Sequence, residues 1–107
     1  MAYYMIQTAY TPESLAYQIK NPQNVVKRTG TVIGNLSGKL ICTYYSFGEY
    51  DLVQIVELPD NASAASIAII AAAGRAIKAS KITPLMAVEE GLDAFKKAAN
   101  AKYKPPA

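Results

Sequence analysis

Leu40-Ile41-Cys42-Thr43-Tyr44-Tyr45-Ser46-Phe47-Gly48-Glu49-Tyr50-Asp51-Leu52-Val53-Gln54-Ile55-Val56-Glu57-Leu58 is the stretch on which the fold turns. Its two arms, Leu40 to Phe47 and Asp51 to Leu58, are rich in the β-branched and aromatic residues that suit a pleated surface. Gly48-Glu49 between them predicts a two-residue hairpin loop of type II′, with Gly48 taking the positive φ that a side chain resists. That loop sets a register in which Phe47 faces Tyr50, Tyr45 faces Leu52, Thr43 faces Gln54 and Ile41 faces Val56. The opposite face then carries Ser46 with Asp51, Tyr44 with Val53, Cys42 with Ile55 and Leu40 with Glu57. Both faces are apolar through the middle of the hairpin, and exposed patches of that kind mark interfaces.

Upstream, Tyr3 to Ala9 reads as a strand. Thr11-Pro12-Glu13 is a helix start: a capping hydroxyl, a proline at the first helical position and an acid at the positive helix end. Leu15 and Ile19 share a face before Asn21-Pro22 interrupts the pattern. Val25, Val26, Thr29, Val32, Ile33 and Leu36 then resume at helical spacing, and Gly38 ends the run. Downstream, Pro59-Asp60-Asn61 breaks the strand and starts a helix over about 62–73. That helix has no charge before Arg75, so its outer side is expected to be covered by the C-terminal helix or another subunit. Ile77 to Met86 reads as a last strand, with Pro84 favouring an edge position or a bulge. Glu89-Glu90 opens an amphipathic helix through Ala101 carrying Val88, Leu92, Phe95 and Ala99, and residues 102–107 form an extended tail.

The order is β-α-β-β-α-β with an added C-terminal helix, a single α+β domain over 1–107. Right-handed crossovers place its four strands in one ferredoxin-like antiparallel sheet with helices on one side. The other side is left for a second copy of the chain, so a homodimer or higher oligomer is expected.

Composition narrows the chemistry. Of 107 residues, 51% are hydrophobic and 18% charged, which supports a core and excludes wholesale disorder. The net charge of +3 is too small to imply a polyanionic partner. One cysteine excludes an internal disulfide or a cysteine-cluster metal site, and the absence of histidine removes the usual general base and metal ligand. No metal or cofactor is expected. The first residues lack a targeting pattern, and the apolar run at 64–74 is far shorter than the ~20 residues of a membrane span. A cytoplasmic protein without a membrane partner is the expectation.

Gly48-Glu49-Tyr50-Asp51, followed by Leu52-Val53-Gln54-Ile55-Val56-Glu57-Leu58-Pro59-Asp60, resembles the GYD-domain family. The resemblance extends to the Tyr4-Met5-Ile6 strand, the Thr11-Pro12-Glu13 helix start, Ser37-Gly38-Lys39-Leu40, Met86-Ala87-Val88-Glu89-Glu90 and the tail Tyr103-Lys104-Pro105-Pro106. It implies a small bacterial or archaeal protein of the dimeric α+β barrel type, and it brings no established activity. The alanine-rich helix at 62–73 departs from the family.

Two readings of the motif stand side by side. In the structural one, Gly48 serves turn geometry, Glu49 is solvated at the tip, Tyr50 packs on Phe47 and Asp51 binds turn amides. In the functional one, Tyr50 and Asp51 are catalytic: in a protein without histidine, Asp51 or Glu57 serves as base and a tyrosine as acid. Thr43, Tyr44, Tyr45 and Gln54 then orient a small organic ligand, with Thr43, Tyr45, Tyr50 and Gln54 on one sheet face and Tyr44 and Asp51 on the other. The function expected is binding or transforming a small organic molecule beside the Tyr50-Asp51 hairpin. The alternative is a non-enzymatic assembly or accessory protein whose motif only shapes the hairpin and an interface.

Other signals fall away. Gly34-Asn35-Leu36-Ser37-Gly38-Lys39 has three residues between its glycines where a phosphate loop has four, and it runs helix to strand. Cys42, mid-strand among apolar neighbours, reads as a buried inert thiol, and Lys96, Lys97, Lys102 and Lys104 as a solvated surface. RNA-recognition modules share the element order, but Asp51 to Leu58 has no aromatic, no basic residue and two carboxylates, which excludes a nucleic-acid partner.

Overall fold

A computed structural model describes residues 1–106. Strand β1 (Ala2–Tyr10) leads into helices α1 (Pro12–Lys20) and α2 (Val25–Asn35), then β2 (Lys39–Tyr45) and β3 (Leu52–Leu58). Helix α3 (Asn61–Ala73), β4 (Ile77–Leu85) and α4 (Val88–Asn100) complete the chain. The four strands form one antiparallel sheet in the order β2-β3-β1-β4, the ferredoxin-like arrangement that the element order predicts. Among the described residues, no helix is long and apolar enough to cross a membrane.

The first three helices each start on a side-chain cap, while α4 follows Ala87 with none. The Thr11 side chain accepts from the Ser14 amide, Asn24 caps α2 through the Val26 amide, and Asp60 caps α3 through the Ser63 amide. A side-chain acceptor at each of these places satisfies an otherwise orphaned helix donor. Pro22 separates α1 from α2. The face that Leu15 and Ile19 share is not buried, since α1 buries no residue and Ile19 is 80% exposed.

Helix α2 ends in a Schellman motif: the Ser37 amide donates to the Gly34 carbonyl and the Gly38 amide to the Ile33 carbonyl. The left-handed residue is Ser37, at φ 60°, and not the glycine after it. Gly38 is required for a different reason. A Cβ there would lie 2.6 Å from both the Glu57 carbonyl oxygen and Leu58 Cδ2.

The β2-β3 register holds as expected at Tyr45/Leu52, Tyr44/Val53, Thr43/Gln54 and Cys42/Ile55, then shifts. Ile41 is an extra, half-exposed residue, so that Leu40 faces Val56 and Lys39 faces Glu57. An unbroken ladder would have turned Leu40 outward. The bulge instead packs it against the core and sets a cation opposite the Glu57 carboxylate. The two-residue turn does not close either. Pairing ends with the Ser46 amide on the Asp51 carbonyl, the Ser46 hydroxyl donates to the Tyr50 carbonyl, and Phe47 is fully exposed rather than packed on Tyr50. Gly48 does take positive φ, 133°.

The core occupies one face of the sheet in two parts. Tyr4, Ile6, Val56 and Leu58 of the sheet pack with Ile33 of α2 and Ala64 of α3. Tyr10, Val25 and Leu52 form a smaller second group. Burying a leucine or valine of this kind stabilises the fold by roughly 1.5–3 kcal/mol. The Tyr4 hydroxyl donates to the Asn61 side chain and ties β1 to the first turn of α3.

On the opposite face, Met5, Cys42, Val53 and Ile55 are half-buried and Tyr3 and Tyr44 exposed. Helix α4 buries none of its residues, leaving Val88, Leu92 and Phe95 in solvent. The expected cover of α3 by this helix is therefore not formed within the chain: Ile69 on α3 is 67% exposed. An amphipathic stripe of four small turns has nothing of its own chain to pack on, and the Cα radius of gyration is 17.2 Å against the ~13 Å of a compact domain of this size.

Candidate functional site

The two parts of the core leave a gap between them. Ile6, Thr8, Leu52 and Gln54 form its floor, on alternate positions of the two central strands. Helix α2 supplies one wall with Arg28, Thr29, Val32 and Ile33, and α3 the other with Ile67, Ile70 and Ala71. Ser14, Tyr17 and Gln18 of α1 close one end, beside Tyr10, Ile77 and Ser80. The cavity measures about 400 Å³, within the 300–1,000 Å³ of small-molecule sites, and its walls are mostly hydrocarbon.

A few polar groups point to it. Gln54 is buried, and its Nε2 donates to Thr29 Oγ1 at 2.9 Å and to Thr43 Oγ1 at 3.2 Å. Thr29 in turn donates to the Val25 carbonyl at 2.7 Å, so this network ties β2 and β3 to α2. With both amide hydrogens spent, the Gln54 carbonyl oxygen is the acceptor left for a ligand. Burial raises the Tyr10 phenol above the ordinary tyrosine range, and the neighbouring Arg28 guanidinium pulls the other way. The hydroxyl therefore stays protonated at neutral pH and can donate a hydrogen bond.

The residues expected to form the site are distributed over three places. Gln54 lies on the cavity floor and is hydrogen-bonded to Thr43, which does not line the cavity, and Tyr45 stands near enough to Tyr10 for their phenols to interact. Asp51 braces the sheet: its Oδ2 accepts from the Tyr10 amide at 2.9 Å, and its own amide donates to the Thr8 carbonyl at 2.8 Å. Tyr50 is not with Thr43 and Tyr45. It lines a shallow hollow of about 350 Å³ on the other side, with Gln7, Phe47, Glu49, Val53 and Lys81. The reason is that β3 begins only at Leu52, so strand alternation does not govern Tyr50. Tyr44, paired with Val53 on that outer face, is largely exposed. Gly48 and Glu49 sit at the loop tip, both exposed.

Tyr10, Arg28, Thr29 and Tyr17 were not among the expected site residues. One signal was present in the sequence. Arg28 falls three residues after Val25 and four before Val32, within the apolar stripe of α2, and its side chain is exposed at the rim of the cavity. Tyr10 carries no such mark; only the strand's extension to residue 10 places it there.

Among the described residues, no three His, Cys, Asp or Glu side chains come together as a metal site. Cys42 is a free, half-buried thiol. No curated protein matches the chain. The family model described as GYD domain matches residues 4–95, from the first strand through most of α4.

Proposed function

The chain belongs to the GYD-domain family, and from that premise we propose that it is a cytoplasmic homo-oligomer that binds a small, mainly apolar organic molecule in the cavity between α2, α3 and the sheet. The observation that carries this reading is the split core: hydrocarbon walls around about 400 Å³, with Gln54, Tyr10 and Arg28 as the few polar groups that fix an orientation. The site lies at the base of the hairpin rather than at its tip. Asp51 supports it by fastening Tyr10 to β3, and Tyr50 lies outside it.

The neutral dye N-phenyl-1-naphthylamine tests the reading. It is expected to brighten saturably with the natural chain. Ala71→Leu, which extends a side chain into the cavity, is expected to weaken uptake by about tenfold or more, or ~1.4 kcal/mol. Tyr50→Phe is expected to leave uptake unchanged. Uptake insensitive to Ala71→Leu and lost in Tyr50→Phe would return the site to the hairpin tip.

Self-association is supported by the outer sheet face and α4, which together expose Tyr3, Tyr44, Leu92 and Phe95. Light scattering at micromolar concentration is expected to give a multiple of 11.5 kDa. A monomer would remove this part of the proposal. The same surfaces favour a second reading, an assembly module of the dimeric α+β barrel type without a ligand; absence of cavity-dependent dye uptake in a confirmed oligomer would establish it.

A further inference from the structure

We propose that the cavity selects a small monocarboxylate with an apolar body, its head seated on the Arg28 guanidinium and the Tyr10 hydroxyl; this rests on the binding reading above. Arg28 is the one charged side chain among the cavity's lining residues. It has no carboxylate partner: among the described residues the ion pair formed is Lys97–Asp93, at 3.3 Å on the exposed face of α4. Asp51, whose charge reaches Tyr10, is committed to the Tyr10 amide.

Arg28 is exposed at the rim of the apolar cavity, and a cation there with no counter-charge is suited to an anion whose apolar body enters below it. Its planar fork matches the two oxygens of a carboxylate. Tyr10 adds a neutral donor on the same lining, near enough to feel the guanidinium charge. A phosphate monoester, with up to two charges and three oxygens, would want a second cation or a run of backbone amides, and the lining supplies neither. The hydrocarbon of Ile6, Val32, Leu52 and Ile67 receives the rest of the molecule.

Displacement of the same dye reads this directly, with 3-phenylpropanoate, its amide 3-phenylpropanamide and 2-phenylethyl phosphate as probes. In the natural chain the acid is expected to displace dye at a concentration about tenfold or more below the amide. Arg28→Gln is expected to abolish that advantage, each ligand being compared with the dye on the same variant, and Arg28→Lys to restore part of it. Equal displacement by acid and amide, or an acid preference untouched by Arg28→Gln, overturns the assignment of the head group while cavity-dependent dye uptake still stands. The phosphate displacing better than the carboxylate overturns it as well. If dye uptake does not respond to Ala71→Leu, the binding reading fails and this inference with it.

Discussion

Gly38→Ala is expected to cost about 2–4 kcal/mol of stability, the overpacking of a site that has no space to yield. The new methyl would lie 2.6 Å from a backbone oxygen of β3 and 2.6 Å from Leu58, a side chain with no solvent exposure, and 3.1 Å from Ile33 Cγ2. Neither a strand carbonyl nor a core leucine is a flexible end that can swing aside. The strain would force α2 and β3 apart where the larger part of the core joins them. Gly34→Ala, one helical turn earlier, is the control. Nothing lies within 4 Å of its Cβ, and replacing a helical glycine by alanine is expected to add about 0.5–1 kcal/mol. Urea midpoints of the two variants should move in opposite directions. If Gly38→Ala melts with the natural chain, the close approach of α2 to β3 is not as described.

Leu58→Ala is expected to cost about 3–5 kcal/mol and Leu52→Ala about 2–3 kcal/mol, although both leucines are essentially inaccessible. The difference lies in what surrounds them. Leu58 sits in the closed packing of Tyr4, Val56 and Ile33, where truncation leaves a void that nothing fills. Leu52 borders the cavity, so truncation there enlarges a space that water can enter, and the void term falls. Urea unfolding of the pair orders them. Equal losses, or a larger loss at Leu52, would mean that the gap between the two parts of the core is not a true recess.

Much of this architecture is legible in the sequence because strong local signals agree with the global fold. Thr11-Pro12-Glu13, Asp60 and the alternation from Leu52 to Leu58 each place an element where it forms. The departures have physical causes that a pattern of residue types does not carry. At Ile41, alternation predicts an unbroken ladder, and the bulge arises because Leu40 gains more in the core than opposite Glu57. At Gly38, the choice between a turn glycine and a packing glycine depends on what approaches it from β3, about 19 residues further along the chain. Tyr50 takes the sheet face that alternation predicts only if the ladder runs to the loop, and its last bond is that of the Ser46 amide to the Asp51 carbonyl. The cavity is not legible in the pattern for a related reason: it is made by two helices that do not meet over Thr8 and Gln54, and Arg28 within the apolar stripe of α2 is its one trace.

The extra residue at Ile41 also bears on what the borders of the sheet can accept. It kinks β2, one border of the sheet, while Pro84 removes an amide from β4, the other border, where Lys78 and Lys81 add charge. Neither border offers a straight row of free amides and carbonyls to a neighbouring strand. Growth into ribbons by lateral strand addition is thereby discouraged at both ends, which leaves the broad outer face of the sheet as the surface for the self-association proposed above.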